Sequence, residues 1–233
     1  MANCDDVADW DGAGRLVACA IDRFGRLDTV VNNADILEMT PFVEETSENW
    51  DRTMRVHLRG HFCVARRAAE NWLSRARGEA TAARIVNISS GAGLHGAAGQ
   101  SAYAAAKAGI AALTITQAAE LQVHGITANA IAPTAGTRMT AEFWPDQTAK
   151  PDSGFDTMDP ATVAPAVVWL GSAESGAVNG CVFEVGGGMI ALAEGWHPGP
   201  AIDCQRQWRP AEVGPAIAGL IARARPPAPV WNS

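Results

Sequence analysis

Ser90-Gly-Ala-Gly-Leu-His-Gly-Ala-Ala-Gly-Gln-Ser-Ala-Tyr103-Ala-Ala-Ala-Lys107 is the stretch that decides how this chain is read. Tyr103 and Lys107 stand four apart in an alanine-rich run of strong helix formers, so both side chains emerge on one helix face, about 5–6 Å apart at Cβ. A free phenol ionises near pH 10 and exchanges protons poorly at neutral pH, but an ammonium beside it favours the phenolate and is expected to lower that value. The spacing therefore predicts an acid/base pair. Upstream, Ala83-Arg-Ile-Val-Asn-Ile-Ser89 is short, β-branched and ended by small residues, as a buried strand is, which puts Ser90 at a strand's carboxyl end. Ligands of open α/β sheets bind at that end. A hydroxyl there, facing the Tyr/Lys helix across a Gly-rich loop, can hold a substrate oxygen while Tyr103 moves the proton. An isolated Tyr-x-x-x-Lys arises often by chance. The strand, the serine thirteen residues ahead and the absence of any other tyrosine favour the functional reading.

Outward from this block, the pattern alternates between helix and strand. Leu16, Val17, Ala20, Ile21 and Phe24 have the spacing of an amphipathic helix that Gly25 ends, and Leu27-Asp-Thr-Val-Val-Asn-Asn33 reads as the next strand. Thr46-Ser-Glu-Asn49 supplies a helix start, after which Trp50, Met54, Leu58, Phe62, Ala65, Ala69 and Trp72 recur at helical spacing as core or interface. The Tyr/Lys helix continues through Ile110, Leu113 and Leu121, and Ile126–Ala132 is a further strand. Residues 138–159 are irregular, with Trp144-Pro145 and Lys150-Pro151, as suits a lid, and Arg138 there is either a phosphate contact or a solvated surface arginine. Asp159-Pro160 caps a helix bearing Val163, Val167 and Leu170; Cys181–Val185 is expected to be the last strand. A short helical pattern at 211–225 precedes a Pro-rich tail.

The 233 residues give one α/β domain enough interior for a sizeable core. A net charge of −7 with scattered basic residues argues against a nucleic-acid partner, and no apolar run approaches the roughly 20 residues of a membrane span. The five cysteines show no metal-type spacing and read as reduced thiols of a cytoplasmic protein. His57 and His61 are four apart, as in a metal pair, but no third ligand pattern completes a site, so no metal is expected. Gly91-Ala-Gly-Leu-His-Gly96 spells G-x-G-x-x-G after a strand, yet the helix is expected several residues later and the motif overlaps the proposed catalytic loop, so it is not read as a phosphate turn.

Val31-Asn-Asn-Ala34, Asn87-Ile-Ser-Ser90, Tyr103-Ala-Ala-Ala-Lys107 and Asn129-Ala-Ile-Ala-Pro133 resemble, in order, the landmarks of the short-chain dehydrogenase/reductase family over nearly the whole chain. Val56-His-Leu-Arg-Gly60, Ala132-Pro-Thr-Ala-Gly-Thr-Arg-Met-Thr140 and Phe183-Glu-Val-Gly-Gly-Gly188 are similar to the (3R)-hydroxyacyl-CoA dehydrogenase domains of multifunctional β-oxidation enzymes and their bacterial relatives. The resemblance implies a single-domain, Rossmann-type, doubly wound parallel sheet. It also implies N-terminal truncation, with residues 1–190 a partial domain lacking the first two strands and the Gly-rich pyrophosphate turn, and 191–233 an extension and tail. The strand at 27–33 then becomes a sheet edge.

By the same resemblance the cofactor is NAD or NADP, the choice resting on a residue beyond the motifs present. Asp6 and Val7 would touch the adenine; Asn33 and Ala34 would line the cleft; Pro133, Thr134, Gly136 and Thr137 would pass the nicotinamide. Read without the resemblance, the asparagines and the 134–137 segment are turn residues. The catalytic set would be Tyr103 as acid/base, Lys107 lowering its pKa and holding the ribose, Ser90 on the substrate oxygen and His57 as auxiliary relay. His57 reads equally as a buried histidine with one partner. Asp35 stands where the family has glycine and puts a negative charge near an anionic cofactor. Two functions are therefore carried forward: an NAD(P)-dependent oxidoreductase acting on a small-molecule secondary alcohol or ketone, and a non-catalytic remnant or partner subunit. A homodimer or homotetramer is expected from the family's helix pairing.

Overall fold

The protein's structure, a computed structural model, describes residues 2–76, 81–226 and 228–230. Asp9 accepts from Gly12 N to start α1 (Trp10–Phe24), and Gly25, in the left-handed region at φ 79°, ends it. Then come β1 (Thr29–Asn32), α2 (Ser47–Met54), α3 (Gly60–Arg75), β2 (Arg84–Ile88), α4 (Gly91–His95), α5 (Ser101–Leu121) and β3 (Thr127–Pro133). After these follow α6 (Arg138–Phe143), α7 (Pro145–Thr148), α8 (Ala164–Leu170), β4 (Val182–Gly186), β5 (Met189–Ala193) and α9 (Pro210–Ile221). The sheet order is β1-β2-β3-β4-β5, parallel through β4 with β5 antiparallel.

The alternation along β2 explains the two cores. Ile85 faces a cluster with Val17, Val30, Ala68 and Trp72 under α1 and α3, whereas Val86 and Ile88 face the other side with Ile131, Leu170 and Val185 under α8. Helices on both faces bury the central strands completely, so β2 reads as a continuous apolar run broken only by Arg84 and Asn87. As expected, β1 is an outer strand among the described residues, and Val31 on it is 44 % exposed.

Three local features depart from the pattern reading. The long helix expected through Trp50 and Trp72 is interrupted by a π-helical turn at Arg55–Arg59, where Gly60 N reaches Arg55 O; His57 sits inside this turn. A short α4 begins directly after Ser90, not several residues later. Its Gly93 is needed for packing, since a Cβ there would lie 2.6 Å from the Lys107 carbonyl carbon and Ala108 N of α5. Cys181–Val185 is followed by one more strand, β5, which Gly187 and Gly188 (φ 57° and 81°) allow to turn straight back on β4. Residues 138–159 hold the short helices α6 and α7, Thr137 capping the first through a reciprocal bond with Thr140. The chain divides into a unit running to Ala193 and a second, Glu194–Pro229, where Glu212 ties Arg206 and Arg209 to the start of α9. The Pro-rich tail expected at 225–229 includes position 227, which lies outside the described residues.

Gly93→Ala is expected to push α4 off α5 and lower stability by about 1–3 kcal/mol in urea unfolding. Gly14→Ala, which faces only the flexible end of Arg67, should be neutral or stabilising.

Candidate active site

The site forms where β1, β2 and β3 end. Under it lies a buried amide network: Asn32 Nδ2 donates to Asn87 Oδ1 (2.9 Å), and Asn87 Nδ2 donates to Thr114 Oγ1 (2.8 Å) and Gln117 Oε1 (2.9 Å). It fastens β1 and β2 to α5. Ser89 Oγ donates to the Lys107 carbonyl (2.8 Å), bringing the first turns of α5 against the end of β2. Ser90 caps α4, its hydroxyl accepting from Ala92 N, and bonds to the Tyr103 phenol. Neither Asn87 nor Ser89 was singled out as a site residue by the sequence, because polar side chains inside a β-branched run give no hint of their partners.

Tyr103 and Lys107 share a face of α5, the amine 5.3 Å from the ring centroid. The amine turns to another partner. Lys107 is 1 % exposed, and its Nζ donates to Asp35 Oδ2 (2.8 Å) and to the Ile88 carbonyl (3.0 Å). The surroundings of the phenol oppose the expected acidification. Burial raises the Tyr103 pKa above its usual value, the Asp35 carboxylate raises it further, and the bond from Ser90 offsets this only in part. Burial also depresses the Lys107 amine, against the opposing pull of Asp35.

His57, fully buried, meets the Tyr103 ring edge-on with centroids 5.2 Å apart. Its Nε2 donates to the Ile36 carbonyl (2.8 Å) and lies 3.4 Å from Asp35 Oδ1, while Nδ1 has no partner among the described residues. Burial and the Lys107 charge lower its pKa, favouring the neutral ring. His61 Nδ1 donates to the His57 carbonyl (2.7 Å), and burial pushes this ring down to about 3.

Ser90, Tyr103, Pro133, Thr134 and Thr137 line one cavity of about 180 Å³ together with Asp35, and Trp144 and Thr148 of α6–α7 and their loop cover it. Lys107 and His57 stand behind this lining. Gly136 is pinned to the covering segment by donating to the Met158 carbonyl (2.6 Å). Ala34 is half-buried next to Asp35, Asn33 is exposed, and Arg138 is exposed at the start of α6. Asp6 accepts from Arg55 (2.6 Å) and Ala8 N, whereas Val7 packs on the core below α1. The structure thus gathers Ser90, Tyr103, Pro133, Thr134 and Thr137 and leaves Asp6, Val7, Asn33, Ala34 and Gly136 off this lining.

A model of the short chain dehydrogenase family matches residues 1–148. The chain belongs to the short-chain dehydrogenase family. It is therefore an oxidoreductase acting on CH–OH groups, and its relatives are consistent with that. A hydroxyacyl-CoA dehydrogenase of Mycobacterium tuberculosis is 38 % identical over 97 % of this chain and 72 % of that protein. The peroxisomal multifunctional enzyme type 2 of Mus musculus is 43 % identical over 82 % of this chain, which spans 24 % of that longer protein. A crystal structure of a short chain dehydrogenase from Mycobacterium avium superposes with a TM-score of 0.91 at 48 % identity, covering 100 % of this chain and 77 % of that one. Among the described residues, no helix of this dehydrogenase is long and apolar enough to cross a membrane.

The buried histidines carry a pH dependence. Folded His61 stays neutral down to about pH 3, while an unfolded histidine takes up its proton near 6.5. The unfolded state then binds more protons below 6.5, so the contribution to stability is full above that pH and is lost as the pH falls toward 3. Denaturant unfolding at pH 5 is expected to show a loss of about 2 kcal/mol from His61, relative to pH 7, that His61→Gln lacks.

Proposed function

We propose that this dehydrogenase interconverts a secondary alcohol and a ketone with NAD or NADP, and that its substrate class is a 3-hydroxyacyl-CoA. The observation that carries the reading is the pair of hydrogen-bonded hydroxyls, Ser90 and Tyr103, facing a cavity at the carboxyl ends of parallel strands. The family of the chain and the hydroxyacyl-CoA dehydrogenase among its relatives support the substrate class.

The residues fit a dinucleotide at its reacting end: Pro133, Thr134 and Thr137 supply backbone and hydroxyl groups on the same cavity as Tyr103. The chemistry such a group supplies when bound is hydride transfer to or from the substrate carbon. The remainder belongs to the protein. Ser90 Oγ donates to the substrate oxygen and orients it. Tyr103 gives its proton to that oxygen during reduction and takes it back during oxidation. Lys107 places its positive charge one helical turn below the phenol, and neutral His57 packs against the tyrosine ring and holds it upright. The segment at Trp144 and Thr148 walls the cavity opposite the hydroxyls, and the less water it admits the stronger their interactions with substrate are. A cavity of about 180 Å³ takes the reacting end of an acyl thioester and leaves the rest outside.

The open face lined by Met54, Leu58, Phe62 and Leu113 supports a homodimer or homotetramer built through α2, α3 and α5. Light scattering returning a monomer would remove that assignment.

Fluorescence titration with NADH and with NADPH tests the reading directly. Saturable binding of one of them is expected, and its absence with both would leave the non-catalytic alternative. In a turnover assay with a 3-oxoacyl-CoA, Tyr103→Phe is expected to lower kcat by about 10²–10⁴-fold, the range of a positioned proton donor.

A further inference from the structure

We propose that Asp35 is a positioning residue that captures the Lys107 ammonium and keeps Tyr103 a neutral phenol, so that the centre works as a proton donor across the neutral range. The inference deepens the reading of the site as a proton-transferring dehydrogenase centre and rests on it only for its catalytic consequence. The geometry comes from two segments far apart in sequence. Asp35 follows β1, while Lys107 is on the second turn of α5, and the pair closes at 2.8 Å with the amine almost completely buried. The remaining Lys107 contact, the Ile88 carbonyl at 3.0 Å, is neutral. Asp35 is thus the one anion the described residues place on this amine, and it lies on the same cavity wall as the phenol.

Every element packed around Tyr103 contributes to the balance. Its own helix brings Lys107; the segment after β1 brings Asp35; the π-helical turn brings His57, with His61 behind it; the end of β2 brings Ser90. From the covering segment come Thr137, Thr140, Trp144 and Gln147, none of which titrates in the relevant range. The histidines are held neutral, so the charges near the phenol are one cation and one anion. With the cation matched by Asp35, only the Ser90 hydroxyl favours a phenolate, and burial together with the nearby Asp35 carboxylate outweighs it and favours the protonated form. In reduction the phenol donates its proton to the substrate oxygen without prior activation. Oxidation needs the phenolate and is displaced to alkaline pH.

The test needs neither dinucleotide nor substrate, because Tyr103 is the only tyrosine in the chain and the tyrosinate absorbance reports it alone. The ultraviolet titration is run on the parent chain, on Asp35→Asn and on Asp35→Gly, with circular dichroism recorded at each pH. The expected result is a parent phenol that ionises above pH 10, or stays un-ionised until the fold is lost. In the variants the midpoint should fall by about one unit or more, a tenfold or larger rise in the ionisation constant. A parent midpoint at or below 10, or variants whose phenol ionises together with or above the parent's, overturns the proposal. A merely structural role for Asp35 would lower stability and leave the midpoint in place. Failure of both nucleotides to bind would defeat the proposed activity while leaving this titration, and the role of Asp35, intact.

Discussion

A buried ammonium organises this end of the molecule. Moving a charged amine out of water costs several kcal/mol even after relaxation, and the cost is offset only when partners with good geometry meet it. Lys107 is met by one carboxylate and one main-chain carbonyl, and both fix pieces of chain. The Ile88 carbonyl fixes the end of β2 against α5, and Asp35 draws the segment after β1 across to the same point. The loop that carries Asp35 then brings the Ile36 carbonyl to His57, so the π-helical turn is held by the same ion pair at one remove. Satisfying one cation therefore positions two strand ends and the helix that carries the phenol.

This arrangement depends on small residues. Ala102 and Ala106 on the buried side of α5 and Gly93 on α4 let backbones approach where a larger side chain would separate them, and Lys107 can then reach the strand ends with its stem enclosed. The alanine-rich sequence that makes the helix also makes it thin enough to bury a lysine. The amide network of Asn32 and Asn87 works below the same helix. Both polar atoms of the Asn87 amide have partners on other elements, β1 and α5, and such satisfied partners are the condition for a network to specify one packing.

Much of the fold was legible because burial on both sheet faces leaves a direct mark on composition. The strands at Thr29–Asn32 and Arg84–Ile88 fall within the apolar β-branched runs that predicted them, and those at Thr127–Pro133 and Val182–Gly186 run one residue past theirs. What was not legible depends on partners remote in sequence or on backbone detail. The π-helical turn has no glycine or proline inside it to announce the break. β5 is largely exposed, so it lacks the buried strand's signature and is made by the turn before it. Of the site, the Tyr103–Lys107 face and the placement of Ser90 at a strand end follow from local spacing. The fate of the Lys107 charge does not, because its partner is 72 residues away. Asp35 stood out in the sequence only as a charge where glycine is normal, and helical spacing alone predicted that Lys107 would be free to acidify the phenol.

The reversal has a general cause. An i,i+4 pair fixes how near two side chains can come, but the ionisation of one depends on the net charge of everything around it. Within the Asp35, Lys107 and Tyr103 group the net formal charge is zero while the phenol is protonated and −1 once it ionises. In a buried place such a group resists the second state when the carboxylate lies as near the phenol as the amine does. The motif that identifies the site and the group that sets its protonation thus lie in different parts of the chain. A substitution at position 35 can retune the acid/base without touching the motif.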